Sequence, residues 1–145
     1  MDEEKVTEQM TVLVVEPGYA PYEKTIPHDV QAMQEIVGGL ITAIYPYAEP
    51  VGIVANGEGL LLGMDFNRSV EGGYGGLVGP FFVCGLTEDS FCSLPPDQME
   101  RFKKKFHKAE ILVGFCGDEP VTLKVEPKQK NATPEKQRKP PSQER

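Results

Sequence analysis

Met10-Thr-Val-Leu-Val-Val-Glu-Pro-Gly-Tyr-Ala-Pro-Tyr-Glu-Lys-Thr-Ile26 is the stretch on which the fold turns. Thr11 to Glu16 is an apolar, β-branched run, Pro17-Gly18 is a turn signal, and Tyr22 to Ile26 alternates between polar and apolar residues. A run that stops at a tight turn and resumes within a few residues predicts an antiparallel return. A parallel neighbour would need a crossover of about a dozen residues or more.

The same short spacing recurs downstream. Leu40 to Tyr45, closed by Pro46, and Val51 to Ala55 read as strands. Asn56-Gly57 is the strongest hairpin signal in the chain, with Leu60-Leu-Leu62 as its expected return. Gly72 to Gly76 reads as a flexible loop, followed by a strand from Leu77 to Leu86 around Phe81-Phe-Val-Cys84. A late strand pair is expected from Ile111 to Phe115 and Val121 to Val125. Helices are few. Asp29 opens one, with Val30, Met33, Ile36 and Val37 on one face and Gly38-Gly39 as the stop. Ser93-Leu-Pro-Pro-Asp-Gln98 opens the second, whose buried side is Leu94, Met99, Phe102 and Phe106. The fold class is therefore α+β: a small, mainly antiparallel sheet with two helices.

At 145 residues the chain suits one core of ordinary size. The expected organisation is an acidic extension over residues 1–9, a single α+β domain over 10–126, and a basic tail over 127–145. Met10 offers a second start codon. The tail has no large apolar residue to offset its ordering entropy and is expected to be disordered. No apolar run approaches the roughly 18 residues that span a bilayer, and the N-terminus lacks the pattern of a secretory signal. A cytoplasmic protein with no membrane partner is the expectation.

Net charge is −7, but its distribution matters more than its sum. Residues 1–100 hold 3 bases (Lys5, Lys24 and Arg68) against 16 acids. A basic stripe, Arg101-Phe-Lys-Lys-Lys-Phe-His-Lys108, closes the second helix, and the tail is basic. An acidic body argues against a generic nucleic-acid coat, and the tail's charge does not make a specific nucleic-acid site. Cys84, Cys92 and Cys116 form no C-x-x-C pair, so free thiols and neither metal nor cofactor are expected. No serine–histidine–acid or cysteine–histidine pattern stands out, so no catalytic residue is assigned.

Binding chemistry is easier to find. Arg68 is the one arginine in the first hundred positions, and its planar fork suits a carboxylate or phosphate. Two readings stand: an internal salt bridge or carbonyl cap that pins a loop, or a contact to an anionic ligand. With Asn67 it is expected at the end of an element. The tyrosines fall on or beside turns, where amphipathic packing and base stacking are the alternatives. The candidate ligand set is Arg68, Asn67, Tyr45, Tyr47, Tyr74, Asn56 and Lys24.

A set of motifs runs in order along the body: Val12-Leu-Val-Val-Glu-Pro-Gly18, Ile36-Val-Gly-Gly39, Ala43-Ile-Tyr-Pro46, Asn67-Arg68, Phe81-Phe-Val-Cys-Gly-Leu86 and the step from Phe91 to Leu94. Over about residues 10–106 this set resembles the family called domain of unknown function 3846. The resemblance implies a product of phages or conjugative elements, and no activity or cofactor comes with it. By analogy with small phage accessory proteins, the expected function is counteracting host defence, by sequestering a nucleotide-derived signal. The alternative is an acidic protein–protein inhibitor of a host nuclease or restriction enzyme. The expected partners are thus a small anionic ligand or a host defence protein, and a homo-oligomer is expected because a small domain gains a deep pocket most easily between subunits.

Overall fold

The computed structural model describes residues 8–70 and 75–129. Strands β1 (Gln9–Val15) and β2 (Tyr22–Pro27) form the antiparallel pair expected of the opening stretch, with Leu13 opposite Glu23. Then come α1 (Val30–Val37), β3 (Ile41–Ile44), β4 (Val51–Asn56), β5 (Phe66–Val70), β6 (Gly75–Val78) and β7 (Phe81–Leu86). The last elements are β8 (Phe91–Cys92), α2 (Pro96–Lys105), β9 (Ala109–Cys116) and β10 (Glu119–Val125). The central sheet runs β2-β1-β7-β4-β3, with β8 added on β7, and every pairing in it is antiparallel. β5–β6 and β9–β10 form two further antiparallel ribbons. The α+β class holds.

Strand alternation sorts the core into two layers. Leu13, Val15, Ile53, Phe81 and Val83 meet Met99, Phe102 and Phe106 at one face, under α2. Val12, Val14, Val54, Phe82 and Cys84 meet Ala32, Met33 and Val37 at the other, under α1. A sheet covered on both faces needs apolar residues in both phases, which is why β1 and β7 read as unbroken apolar runs. Phe81 and Phe82 are fully buried, one toward each helix. Truncating either to Ala should cost about 3–5 kcal/mol.

The helix limits follow local rules. The Asp29 carboxylate accepts from Ala32 N at 2.7 Å, and Gly38 closes α1 at φ 83°, a left-handed conformation that glycine adopts without strain. α2 has proline in its first turn and Lys103, Lys104 and Lys105 in its last.

Several expectations need correction. Leu60-Leu-Leu62 is not a return strand; it lies in turns after β4, and its side chains are 83, 86 and 57% exposed. The Asn56 side chain accepts from Glu58 N at 2.7 Å, so the Asn-Gly signal produces a side-chain-stabilised turn rather than a hairpin. The strand expected from Leu77 to Leu86 is broken at Gly79 (φ 77°) into β6 and β7, and Gly75-Gly76 belong to β6. Asn67 and Arg68 lie inside β5, not at an element end. The chain stays docked past residue 126: Lys128 N donates to Gly18 O at 2.9 Å, and Ala20 N donates to Lys128 O at 2.8 Å. Most of the expected disordered tail, residues 130–145, lies outside the described residues, as does most of the acidic extension. Among the described residues no helix is long and apolar enough to cross a membrane.

Candidate functional site

Asn67 and Arg68 are adjacent on a strand, so simple alternation would send one of them to solvent. Both are 0% exposed. The register of β5 against β6 slips between Phe66 and Arg68, and this bulge turns both side chains inward. Arg68 Nε donates to Phe106 O at 3.1 Å, and one terminal nitrogen reaches the same oxygen at 2.9 Å and Tyr19 O at 2.7 Å. The other terminal nitrogen reaches Asn67 Oδ1 at 2.8 Å and Asn67 O at 3.3 Å. Every guanidinium N–H therefore has an internal acceptor. Asn67 completes the hub by donating to Val15 O at 2.9 Å and Gly79 O at 2.8 Å.

The hub ties β5 to β1, to the turn before β2 and to the C-terminal cap of α2. Phe106 is that cap, so the cation meets the negative end of the helix. Burial lowers the guanidinium to about 10, against the opposing pull of the Glu110 carboxylate. Glu110, itself buried, accepts from Ser69 N, Ser69 Oγ and Thr122 Oγ1 at 3.1, 2.8 and 2.9 Å. Of the two readings of Arg68, this geometry is the carbonyl cap. It leaves no N–H to face an anionic ligand.

The remaining candidates do not assemble around it. Asn56 is buried and donates to Val37 O at 3.1 Å, stapling the end of α1. Tyr47 packs on Phe102 with ring centroids 5.1 Å apart, at the edge of the core. Lys24 is exposed on the outermost strand β2. Tyr74 lies outside the described residues. The basic stripe is largely paired: Arg101 grips Glu49 through both terminal nitrogens at 2.8 and 2.6 Å, and Lys103 and Lys108 contact Glu23 and Glu126.

Asn56 also borders a groove of about 430 Å³ with Leu60 and Leu61, and a larger cavity is lined by Tyr45. Tyr45 is 54% exposed at the edge of a cleft of about 630 Å³ between the start of α1, the end of β3 and the β7–β8 turn. His28, Asp29, Met33, Glu88, Asp89 and Ser90 contribute to the same walls, and no lysine or arginine does. A second hollow continues past His28, Ser90 and Phe91 to Glu8. From sequence alone His28 reads as a solvent-facing first-turn residue and Glu88-Asp89 as a solvated turn. Only the topology shows that positions 28 and 90 meet, so no local signal was available.

His28 Nε2 lies 2.6 Å from Phe91 O and 3.1 Å from Ser90 Oγ. A carbonyl can only accept, so this nitrogen carries a proton directed at Phe91. It has no lone pair for the Ser90 hydroxyl, and the two do not form a base–nucleophile pair. The Asp29 carboxylate already occupies the N-terminus of α1, which removes that end as an anion site. Among the described residues, no three His, Cys, Asp or Glu side chains are grouped to hold a metal ion.

The family model described as "Domain of unknown function (DUF3846)" matches residues 10–107. The chain belongs to this family. No curated protein and no solved structure matches it. The DUF3846 match ends one residue past Phe106, so both carbonyls that Arg68 holds outside its own strand fall within it. The cleft walls from His28 to Phe91 fall within it too, while the ribbon β9–β10 lies beyond.

Proposed function

We propose that this DUF3846 protein is a non-catalytic accessory protein of a phage or mobile element, and that it counteracts host defence by binding a basic surface of a host enzyme. The observation that carries this reading is the cleft with Asp29, Glu88 and Asp89 in its walls and no lysine or arginine among them. A nucleotide's phosphates would meet three carboxylates and no lysine or arginine there, whereas an arginine or lysine of a partner would find counter-charges and the face of Tyr45. The acidic balance of residues 1–100 would steer such a partner from a distance.

Sequestration of a nucleotide-derived signal is the second reading, favoured by one observation: the half-exposed Tyr45 ring stands at a concave surface where a base could stack. Calorimetric titration separates the two. An arginine-rich peptide should bind at low salt and weaken as ionic strength passes about 0.1 M, where the Debye length is about 10 Å. Glu88→Gln with Asp89→Asn should abolish that binding, since both residues are exposed and neither holds the fold. Cyclic nucleotides that bind while the peptide does not would replace the first reading with the second.

A further inference from the structure

The central sheet has two outer strands, β2 and β3, and they are guarded unequally. β2 carries Glu23 and Lys24 and ends at Pro27, and Lys103 reaches Glu23 from α2. Charge and proline on an outer strand are the usual protection against a further strand. β3 reads Ile41-Thr-Ala-Ile44, with neither.

The phase of the β3–β4 ladder fixes what this edge offers. Gly57 N donates to Leu40 O at 2.8 Å, and the register runs on from there without a slip. Bonded and non-bonded pairs alternate in an antiparallel ladder. Thr42 and Ile44 therefore bond to β4, while Ile41 and Ala43 turn their N–H and C=O groups away from it. Among the described residues, no strand pairs with β3 on that side.

The same edge leads into the acidic cleft. Ile41 and Ala43 pack on the α1 layer of the sheet, and Ile41 and Tyr45 line the cleft. A strand added to β3 would send every second side chain to that face. There the charged side chains in the walls are Asp29, Glu88 and Asp89. An arginine or lysine at such a position meets opposite charge. A second copy adding its own β3 would instead bring another set of carboxylates to the seam. Residues 130–145 are basic, but Pro134, Pro140 and Pro141 each lack the N–H that a ladder needs. We infer that a basic, extended segment of the partner protein docks as an added strand on β3, with alternate basic side chains entering the cleft. Such docking rests on the cleft's reading as a site for a basic surface, and gives that surface its form.

The probe is a hexapeptide alternating arginine with valine, titrated by calorimetry into the full chain at low salt. A strand turns only every second N–H to its neighbour. Of two forms of the peptide N-methylated at alternate residues, one should therefore lose affinity about tenfold or more and the other keep it. Hydrogen exchange should find the Ile41 and Ala43 amides open in the free chain and protected by the peptide. Ala43→Pro removes an outward N–H and no ladder bond, so thermal unfolding should stay close to that of the parent while binding falls by the same factor. A peptide that binds and weakens with salt, yet ignores Ala43→Pro and treats both methylated forms alike, would overturn the edge docking and leave the basic partner of the cleft standing. A peptide that does not bind would overturn both. Ile41 and Ala43 amides already protected in the free chain would overturn the edge docking in favour of the chain's own tail or a second copy.

Discussion

The Asn67–Arg68 hub and the His28–Asp89 cleft use similar polar chemistry to opposite ends. In the hub a cation is fully buried, and each of its N–H groups meets an acceptor the fold has left over: the cap carbonyl of α2, a turn carbonyl and the Asn67 amide oxygen. In the cleft, Glu88 and Asp89 stand in water on a turn, with counter-charge absent from the walls. A buried polar group with its partners complete is part of the architecture, and removing it exposes their unmet demand. Polar groups left open at a concavity cost the fold little and remain available to another molecule. Rarity of a residue type, which singled out Arg68, does not separate these two cases. Completion of its hydrogen bonds does.

Arg68→Ala should separate the two regions most strongly. Phe106 O, Tyr19 O and Asn67 Oδ1 lose donors together, and the stability measured by urea unfolding should fall by about 3–5 kcal/mol. Arg68→Lys should recover only part of this, since an ammonium cannot reproduce the fork. Asn67→Ala comes next, at about 2–3 kcal/mol, because Val15 O and Gly79 O lose their donor inside the core. The cleft variants Glu88→Gln with Asp89→Asn, and Tyr45→Ala, should stay within about 0.5 kcal/mol of the parent in the same assay.

The smallest effect to follow is chemical. Burial raises the Cys84 thiol to about 12, whereas Cys116 is exposed beside the β9–β10 turn. Below that value Cys84 is protonated and unreactive in the folded protein. A thiol reagent near pH 8 should modify Cys116 quickly, Cys92 more slowly, and Cys84 only with unfolding.

How far the sequence could be read depended on the range of each interaction. The β1–β2 pair, the Asp29 and Gly38 caps and the late ribbon follow from residues within a turn or two of one another, and all were legible. Leu60-Leu-Leu62 was misjudged because strand propensity says nothing of partners: β4 takes β3 and β7 as neighbours, leaving the leucines no edge to join. The bulge at Asn67 depends on the slip of β5 against β6, which alternation alone cannot reveal. The cleft was illegible for the same reason, since it joins residues more than fifty positions apart.

Arg68 is an internal pin rather than a ligand contact. Proton exchange at its Nε–H, followed by nuclear magnetic resonance at neutral pH, tests this most directly. A resonance protected far beyond that of the exposed Arg101, and unmoved by added nucleotide, is expected. An Arg68 Nε–H that exchanges at the solvent rate, or shifts when nucleotide is added, would contradict it.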